Sequence, residues 1–201
     1  MGRSNRASRS RIRTRRSMKH YMIDIETFGT RESAMIISAA VLPFKLDGDG
    51  AEKPAERHFT PAIYPTWEDQ SEAGATIDPL TLDWWFRQIG NGCAATDLEQ
   101  RRMPASAAFA QFANSIQPSD CTRVWAKGPD FDCRILEAAF RRHSIACPWR
   151  YWQCRCVRTI TDLADMPRTE GFSNSAHDAL LDARTQIYDV QQAWRAINKI
   201  K

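Results

Sequence analysis

The stretch Tyr21-Met-Ile-Asp-Ile-Glu-Thr27 is a predicted β-strand, and it decides the fold and places two acids side by side. Residues i and i+2 of a strand point to the same face, so Asp24 and Glu26 project together while Ile23 and Ile25 turn into the core. Two carboxylates held this close repel each other, and a divalent cation removes that repulsion. The alternative, a polar face on an edge strand, is disfavoured because the strand is otherwise apolar.

The residues after this strand predict an antiparallel meander. We expect strands over 20–27, 34–44 and 55–63, with the turn Gly29–Ser33 between the first two and the loop Asp47–Gly50 between the second and third.

Helical patterns alternate with a further strand in the rest of the chain. They predict helices from Asp78 as cap to Gly90, after Pro104, and from about Asp132 to Arg142, with a strand at Thr122–Ala126 and an irregular stretch at 148–156. A last helix carries a core stripe of Leu180, Ala183, Ile187, Val190, Trp194 and Ile197. The order predicts an α/β fold with a mixed sheet and helices on both faces.

Two more acidic segments fall at the ends of predicted elements. Asp132, or equally Asp130, stands where the strand 122–126 leads into a helix, a place where α/β sheets gather ligands. Ser175-Ala-His-Asp178 has the form of a capping box, which would place His177 in the first turn of the last helix. The helix dipole would keep that imidazole neutral, and Asp182 would flank the same site. With Asp24 and Glu26, these segments predict a carboxylate cage for two hard cations beside a base, which suits phosphodiester hydrolysis.

The positive charge of the chain is concentrated in its first 17 residues. The chain has 201 residues and a formal net charge of +4, and residues 1–17 hold seven arginines among its 28 basic residues. Without these seven, 21 basic residues face 24 acidic ones, so residues 18–201 carry about −3. We expect residues 1–17 to be a disordered arm, either a tether for a polyanion or an upstream start assigned too early. Residues 18–201 are expected to form one domain.

The sequence predicts a protein of the cytoplasm with reduced thiols. It has no apolar run long enough to span a membrane, and the arm lacks the apolar centre of a secretory signal. Its six cysteines include no C-x-x-C pair. A zinc site of His143, Cys147, Cys154 and Cys156 is the alternative, but their spacing fits no standard ligand pattern.

Three short motifs occur in a fixed order: Asp24-Ile-Glu26-Thr, Phe131-Asp132 and His177-x-x-x-x-Asp182. Together they resemble the DEDDh branch of the DnaQ-like 3′-5′ exonucleases, in the ribonuclease H-like superfamily. The likeness is greatest to the group that contains the actinobacterial 3′-5′ exoribonuclease and the exonuclease domain of phage-type exodeoxyribonuclease VIII. It covers nearly all of residues 20–195, with supporting segments at 22–30, 77–85, 157–159 and 177–183.

The resemblance implies a reaction and a role for each motif residue. The reaction is metal-dependent 3′-5′ hydrolysis of single-stranded or frayed RNA or DNA, releasing nucleoside 5′-monophosphates. Two divalent cations, Mg²⁺ or Mn²⁺, would be held by Asp24, Glu26, Asp132 and Asp182, and His177 would take the proton from the attacking water. Family analogy also implies a homodimer.

Five residues are expected to contact the substrate. The resemblance places Thr27 and Phe28 at the terminal nucleotide. Trp84 or Trp85 would stack on a base, although core packing explains at least two of the three aromatic residues at 84–86. Lys127 stands where many relatives have a small polar residue, and it would either contact phosphate or weaken metal binding.

Two other functions are compatible with the sequence. One is a catalytically weak nucleic-acid-binding protein on the same fold, against which the complete set of motif residues argues. The other is a metal phosphohydrolase that releases phosphate from mononucleotides without shortening oligomers. The choice between RNA and DNA depends on pocket contacts to the 2′-hydroxyl, which a sequence does not place.

Overall fold

The computed structural model describes residues 18–51, 62–90, 98, 100–166 and 177–199. The expected arm at 1–17, most of the strand predicted over 55–63, Cys93 and the expected cap Ser175 lie outside these ranges.

The fold is built on a five-stranded mixed sheet with the order β3-β2-β1-β4-β5. Strands β1 and β2 pair antiparallel, as do β2 and β3, which confirms the predicted meander. Strand β4 pairs parallel to β1, and β5 parallel to β4. The strands are β1 (Lys19–Thr27), β2 (Ile36–Phe44), β3 (Ala62–Ile63), β4 (Thr122–Ala126) and β5 (Cys154–Cys156).

Helices cover both faces of this sheet. In the described ranges they are α1 (Trp67–Glu72), α2 (Pro79–Gly90), α3 (Ala105–Asn114), α4 (Pro129–Arg142), α5 (Val157–Leu163) and α6 (Ala179–Lys199). A 3₁₀ helix at Tyr151–Gln153 precedes β5. Helix α2 has the predicted bounds, and the Asp78 carboxylate accepts a hydrogen bond of 2.8 Å from the Leu80 backbone N–H. No helix in the described part of the chain is long and apolar enough to cross a membrane.

The two faces of β1 belong to two different hydrophobic clusters. Ile23 and Ile25 are buried with Phe109 of α3 and Phe140 of α4. Met22 lies on the opposite face and is buried against α5 and α6. The alternation of side chains in the strand therefore turns Asp24 and Glu26 toward α6, which is the face on which the candidate site forms.

The apolar stripe predicted for the last helix is buried in its first half. Ala183, Ile187 and Val190 are fully buried against the sheet. Trp194 is 37% exposed and lines a cavity together with Lys19 at the start of β1 and Phe44 at the end of β2.

Four elements differ from the sequence prediction. Helix α4 begins at Pro129, three residues before the expected start, since Gly128 serves as its N-cap residue and Pro129 suits the first helical position. The irregular stretch at 148–156 contains strand β5, and α5 follows it directly. Helix α1 was missed because its six residues carry little apolar periodicity, and its buried Gln70 is held by the Ile36 backbone.

Candidate active site

The candidate site lies where β1 and β4 separate. β1 pairs with β2 along almost its whole length, but it pairs with β4 only from Lys19 to Met22. Beyond that point no strand of the described ranges pairs with β1 on its β4 side. The Asp132 carboxylate, in the first turn of α4, fills the gap and accepts a hydrogen bond from the Ile25 backbone N–H.

Three acids from two elements meet in this gap. Asp24 and Glu26 come from β1 and Asp182 from the first turn of α6. One carboxylate oxygen from each of the three lies within 4.8 Å of the others. This is the only group of three or more potential metal ligands in the described ranges, so the alternative zinc site at 143–156 is not formed there.

Asp132 is the fourth acid of the cluster, because its charge raises the pKa of Asp24. Burial raises the pKa of Asp132 to about 7, against hydrogen bonds from the backbone N–H groups of Asp132, Ile25 and Gly128 that lower it. Asp130, the alternative that the sequence left open, is exposed on the same turn. The fold therefore brings Asp132, rather than Asp130, to the carboxylates of β1.

Asp24 is the acid most strongly affected by its surroundings. Burial raises its pKa well above the ordinary value, and the charges of Asp132, Glu26 and Asp182 raise it further. Gln186 opposes this shift, because its Nε2 donates a hydrogen bond of 2.6 Å to Asp24 Oδ1. The pKa of Asp182 is also raised by burial. Without a cation, the cluster resists ionisation.

Gln186 is a residue of the site that the sequence analysis missed. It lies four residues after Asp182, so both side chains point from α6 toward β1. It is 3% exposed and fixes one Asp24 oxygen. The helical period of α6 could have indicated Gln186, because a residue four positions after the motif acid Asp182 lies on the same face of the helix.

His177 precedes α6 and is not part of it. The helix begins at Ala179, and the Asp178 carboxylate caps it by accepting a hydrogen bond of 2.8 Å from the Leu181 backbone N–H. The predicted capping box, with Asp178 at the third helical position and His177 in the first turn, is therefore wrong. A cap at Asp178 leaves the preceding residue outside the helix, and His177 has a φ of 78°.

Two features hold His177 in this left-handed conformation. Its backbone N–H donates to the Asp182 carboxylate. Its ring contacts the rings of Trp84 and Trp85 with edge-to-face geometry, at centroid distances of 4.6 and 5.7 Å. Strained backbone of this kind persists only where the surroundings enforce it, and it is concentrated at functional sites.

The position of His177 suits a neutral base. Its Nδ1 lies 4.0 Å from Glu26 Oε2. Burial lowers the pKa of His177, and the charge of Asp182 only partly offsets this effect. The imidazole is therefore unprotonated at neutral pH and able to accept a proton beside the carboxylate cluster.

A cavity of about 380 Å³ opens next to the acids. Glu26 and Thr27 line it from β1, Trp84 and Trp85 from α2, and Phe131 from α4. Trp85 is only 2% exposed, and its indole N–H donates to the Thr27 carbonyl over 3.0 Å, so it supports the wall of the cavity.

Phe28 does not line this cavity. It is 4% exposed and packs edge-on against Trp67 of α1, with 5.3 Å between ring centroids. Phe28 lies just after the end of β1, beyond the shift in register with β2 between Glu26 and Thr27, so the structure does not bring it to the other predicted substrate contacts.

Two cations lie near the acids on the α5 side. Lys127 is exposed, and its charge is one of the factors that lower the pKa of Asp182. Arg158 donates a hydrogen bond of 2.6 Å to the Lys127 carbonyl, and its charge lowers the pKa of Asp132. Arg158 lay within a segment of the resemblance, but no local pattern indicated that it supports the turn after β4.

The donor set fits hard divalent cations. Carboxylate oxygens are the preferred ligands of Mg²⁺ and Mn²⁺. Burial raises the pKa values of Asp24, Asp132 and Asp182, and mutual repulsion adds to the effect at Asp24. A bound cation would favour the ionised form of each acid and so oppose these shifts.

Comparison with known proteins places this geometry in a family. The family model for the 3′-5′ exoribonuclease Rv2179c-like domain matches residues 19–194. An exodeoxyribonuclease of Enterobacteria phage T4 is 24% identical over 206 residues, which cover 89% of this chain and 90% of the phage protein.

Solved structures of Exonuclease I share the fold. The Escherichia coli enzyme in complex with a dT13 oligonucleotide matches with a TM-score of 0.65 and 16% identity, over 92% of this chain and 42% of that one. Exonuclease I of Methylocaldum szegediense matches with a TM-score of 0.56 and 18% identity, over 85% and 39%. The chain thus spans about two fifths of the length of these enzymes. With the family match over nearly all of the described residues, the chain belongs to the family of 3′-5′ exoribonuclease Rv2179c-like domains.

Proposed function

We propose that the protein is a DEDDh-type, metal-dependent exonuclease that removes nucleoside 5′-monophosphates from the 3′ end of single-stranded or frayed RNA or DNA. The observation that carries the proposal is the convergence of three carboxylates within 4.8 Å, with His177 4.0 Å from one of them. His177 and Asp182 come from one segment, and Asp24 and Glu26 come from another that is far from it in the sequence. Their convergence beside a cavity supports a catalytic role.

Asp24, Glu26, Asp132 and Asp182 would hold two divalent cations, Mg²⁺ or Mn²⁺. When bound, such cations stabilise charge on the attacking and leaving oxygens of an in-line displacement. Gln186 contributes by fixing one oxygen of Asp24, which leaves the other oxygen of that carboxylate for a cation.

His177 would act as the general base. Its lowered pKa keeps the ring neutral at pH 7, and the Trp84 and Trp85 rings restrict its rotation. The imidazole accepts the proton of the attacking water as the phosphodiester bond breaks. Positioned general bases typically contribute about 10² to 10⁴ in rate.

The cavity beside Glu26 would receive the terminal nucleoside. Its volume of about 380 Å³ lies within the usual range for small-molecule sites. The edge of Trp84 and the wall formed by Thr27 give a base and a sugar apolar and polar surfaces to contact. Lys127, exposed and near enough to Asp182 for its charge to lower the pKa of that acid, would contact a phosphate of the bound strand.

Digestion of 5′-labelled single-stranded RNA and DNA oligomers tests the proposal. With Mg²⁺ or Mn²⁺ we expect a ladder that shortens from the 3′ end, and with EDTA no shortening. Asp132→Ala should abolish the ladder. Asp130→Ala is the matched control, because it removes an exposed acid from the same helical turn, and it should digest at the wild-type rate.

Two further outcomes separate the competing functions. Release of phosphate from mononucleotides without shortening of oligomers would identify a phosphohydrolase instead. Oligomers that bind but stay intact with every metal would identify a binding protein.

The variant His177→Gln tests the role of His177 as the base. It should retain Mn²⁺ binding, measured by calorimetry, while its rate of digestion falls. Loss of Mn²⁺ binding would contradict the role of base.

A further inference from the structure

The 3₁₀ helix before β5 presents two aromatic rings to solvent. Tyr151 is 81% exposed and Trp152 is 51% exposed, and their rings meet edge-on with centroids 4.9 Å apart. The next residue, Gln153, is buried and anchors the turn by donating from its Nε2 to the Ser119 carbonyl over 2.6 Å. The two rings are therefore held outward by a fixed backbone, and core packing does not account for them.

Three arginines lie near this 3₁₀ helix. The Arg150 guanidinium lies 5.2 Å from the centroid of the Trp152 ring. Arg155 donates from its Nη1 to the Trp152 carbonyl over 2.9 Å. Arg123 lies on the neighbouring strand β4, one residue before Val124, which pairs with Cys154 at the start of β5. We call Arg123, Arg150, Tyr151, Trp152 and Arg155 the aromatic-basic platform.

The charge of this platform is not neutralised within the described ranges. The ion pairs found there involve other cations, such as Arg87 with Asp83 and Arg134 with Glu32. None of the three platform arginines pairs with a carboxylate in that part of the chain. Exposed aromatic faces beside unneutralised guanidinium groups complement a polyanion that carries planar bases.

We propose that the aromatic-basic platform binds single-stranded nucleic acid upstream of the 3′ end, and so forms a second contact for long substrates. This inference rests on the proposed function. β4 and β5 run parallel, so residues that precede β5 lie toward the amino ends of the strands, whereas the acids lie at the carboxyl end of β1. The platform is thus separated from the cavity that receives the terminal nucleoside.

The separation sets the length of nucleic acid that reaches both places. β4 has five residues, which at about 3.3 Å each span roughly 17 Å. At a stacked spacing of about 3.4 Å per nucleotide, this corresponds to about five nucleotides. A trimer bound in the cavity is too short to reach the platform, whereas an 18-mer reaches it easily.

Binding to oligomers of two lengths tests the platform. Fluorescence anisotropy of 5′-labelled trimers and 18-mers is measured in an Asp24→Asn background, which removes cleavage. We expect Trp152→Ala to weaken 18-mer binding about tenfold, as for the loss of one base stack, without a change for the trimer. Trp152→Phe should restore most of the 18-mer affinity. Arg155→Ala should make the salt dependence of 18-mer binding shallower by about 0.7 in log–log slope.

Arg141→Ala is the control for charge alone, since Arg141 is exposed near the end of α4 and outside the platform. The proposal would be overturned if Trp152→Ala weakened binding of the trimer and the 18-mer equally. It would also be overturned if the 18-mer affinity were unchanged in both Trp152→Ala and Arg155→Ala. If the wild type meanwhile shortens oligomers from the 3′ end, the proposed function stands without it. If the wild type neither binds nor shortens any oligomer, both proposals fail.

Discussion

Replacement of Asp132 by asparagine is expected to stabilise the metal-free protein at alkaline pH while it abolishes activity. Asp132 is 5% exposed, and burial raises its pKa from 3.8 to about 7. A carboxyl group whose pKa is raised in the folded state favours folding while it is protonated. That contribution is complete below about pH 4 and is lost as the pH rises through 7.

The size of the effect follows from the two pKa values of Asp132. The pKa rises from 3.8 to about 7, and each tenfold change in the acid constant corresponds to about 1.4 kcal/mol, so the ionised Asp132 costs roughly 4 kcal/mol at pH 8. An asparagine at this position would avoid that cost, and it would also remove a negative charge that raises the pKa of Asp24. Its amide oxygen can still accept the Ile25 backbone N–H, so we expect a gain of up to about 4 kcal/mol.

Urea unfolding in EDTA between pH 4 and 8.5 measures this difference. The free energy of unfolding of the wild type should fall toward pH 8, and that of Asp132→Asn should fall less. Asp130→Asn, on the same turn but exposed, should follow the wild type. Saturating Mg²⁺ should narrow the gap, because a ligand at 100 times its Kd stabilises by about 2.7 kcal/mol and the wild type retains all four acids.

The reasoning would be refuted if Asp132→Asn were no more stable than the wild type at pH 8 in EDTA. A wild-type stability that does not fall between pH 5 and 8 would refute it equally, since the buried acids would then not resist ionisation.

Three further predictions concern the support of the site. Gly128→Ala should displace the Arg158 guanidinium, because a Cβ there would lie 2.8 Å from its Nη1, and should thereby break the hydrogen bond to the Lys127 carbonyl. Gly128→Ala and Arg158→Ala should each lower the free energy of unfolding, measured in urea, by about 1 kcal/mol, and the double variant should lose less than the sum of the two. Full additivity would contradict the hydrogen bond between Arg158 and the Lys127 carbonyl. Asp178→Ala should lower the free energy of unfolding by about 1 kcal/mol, because it removes the side-chain cap of α6. An unchanged midpoint of urea unfolding would show that Asp178 does not stabilise the helix as a cap. Ile187→Ala should cost about 2–5 kcal/mol by leaving a cavity under α6, and a cost below about 1 kcal/mol would mean that the helix repacks.

Local patterns of the sequence were sufficient for most elements. β1 was predicted from its alternation, α2 from Asp78 followed by Pro79, and β4 from a short apolar run, and the structure has all three elements. β5 and α1 were missed, because three and six residues carry too little periodicity to be distinguished from irregular chain. Their places are decided by partners distant in the sequence, which local patterns do not contain.

Sequence alone determined that Asp24 and Glu26 share a face, because the two-residue period of a strand requires it. It also determined that Ile23 and Ile25 oppose them in the core. Residue spacing left Asp130 and Asp132 open and the family resemblance selected Asp132, but the physical reason lies in the tertiary structure, where the Asp132 carboxylate reaches the gap between β1 and β4. The tertiary structure likewise placed His177 before α6 against Trp84, and brought Gln186 to Asp24. These contacts join segments distant in the sequence, and their geometry is set by the packing of helices on the sheet, which no short stretch of sequence encodes.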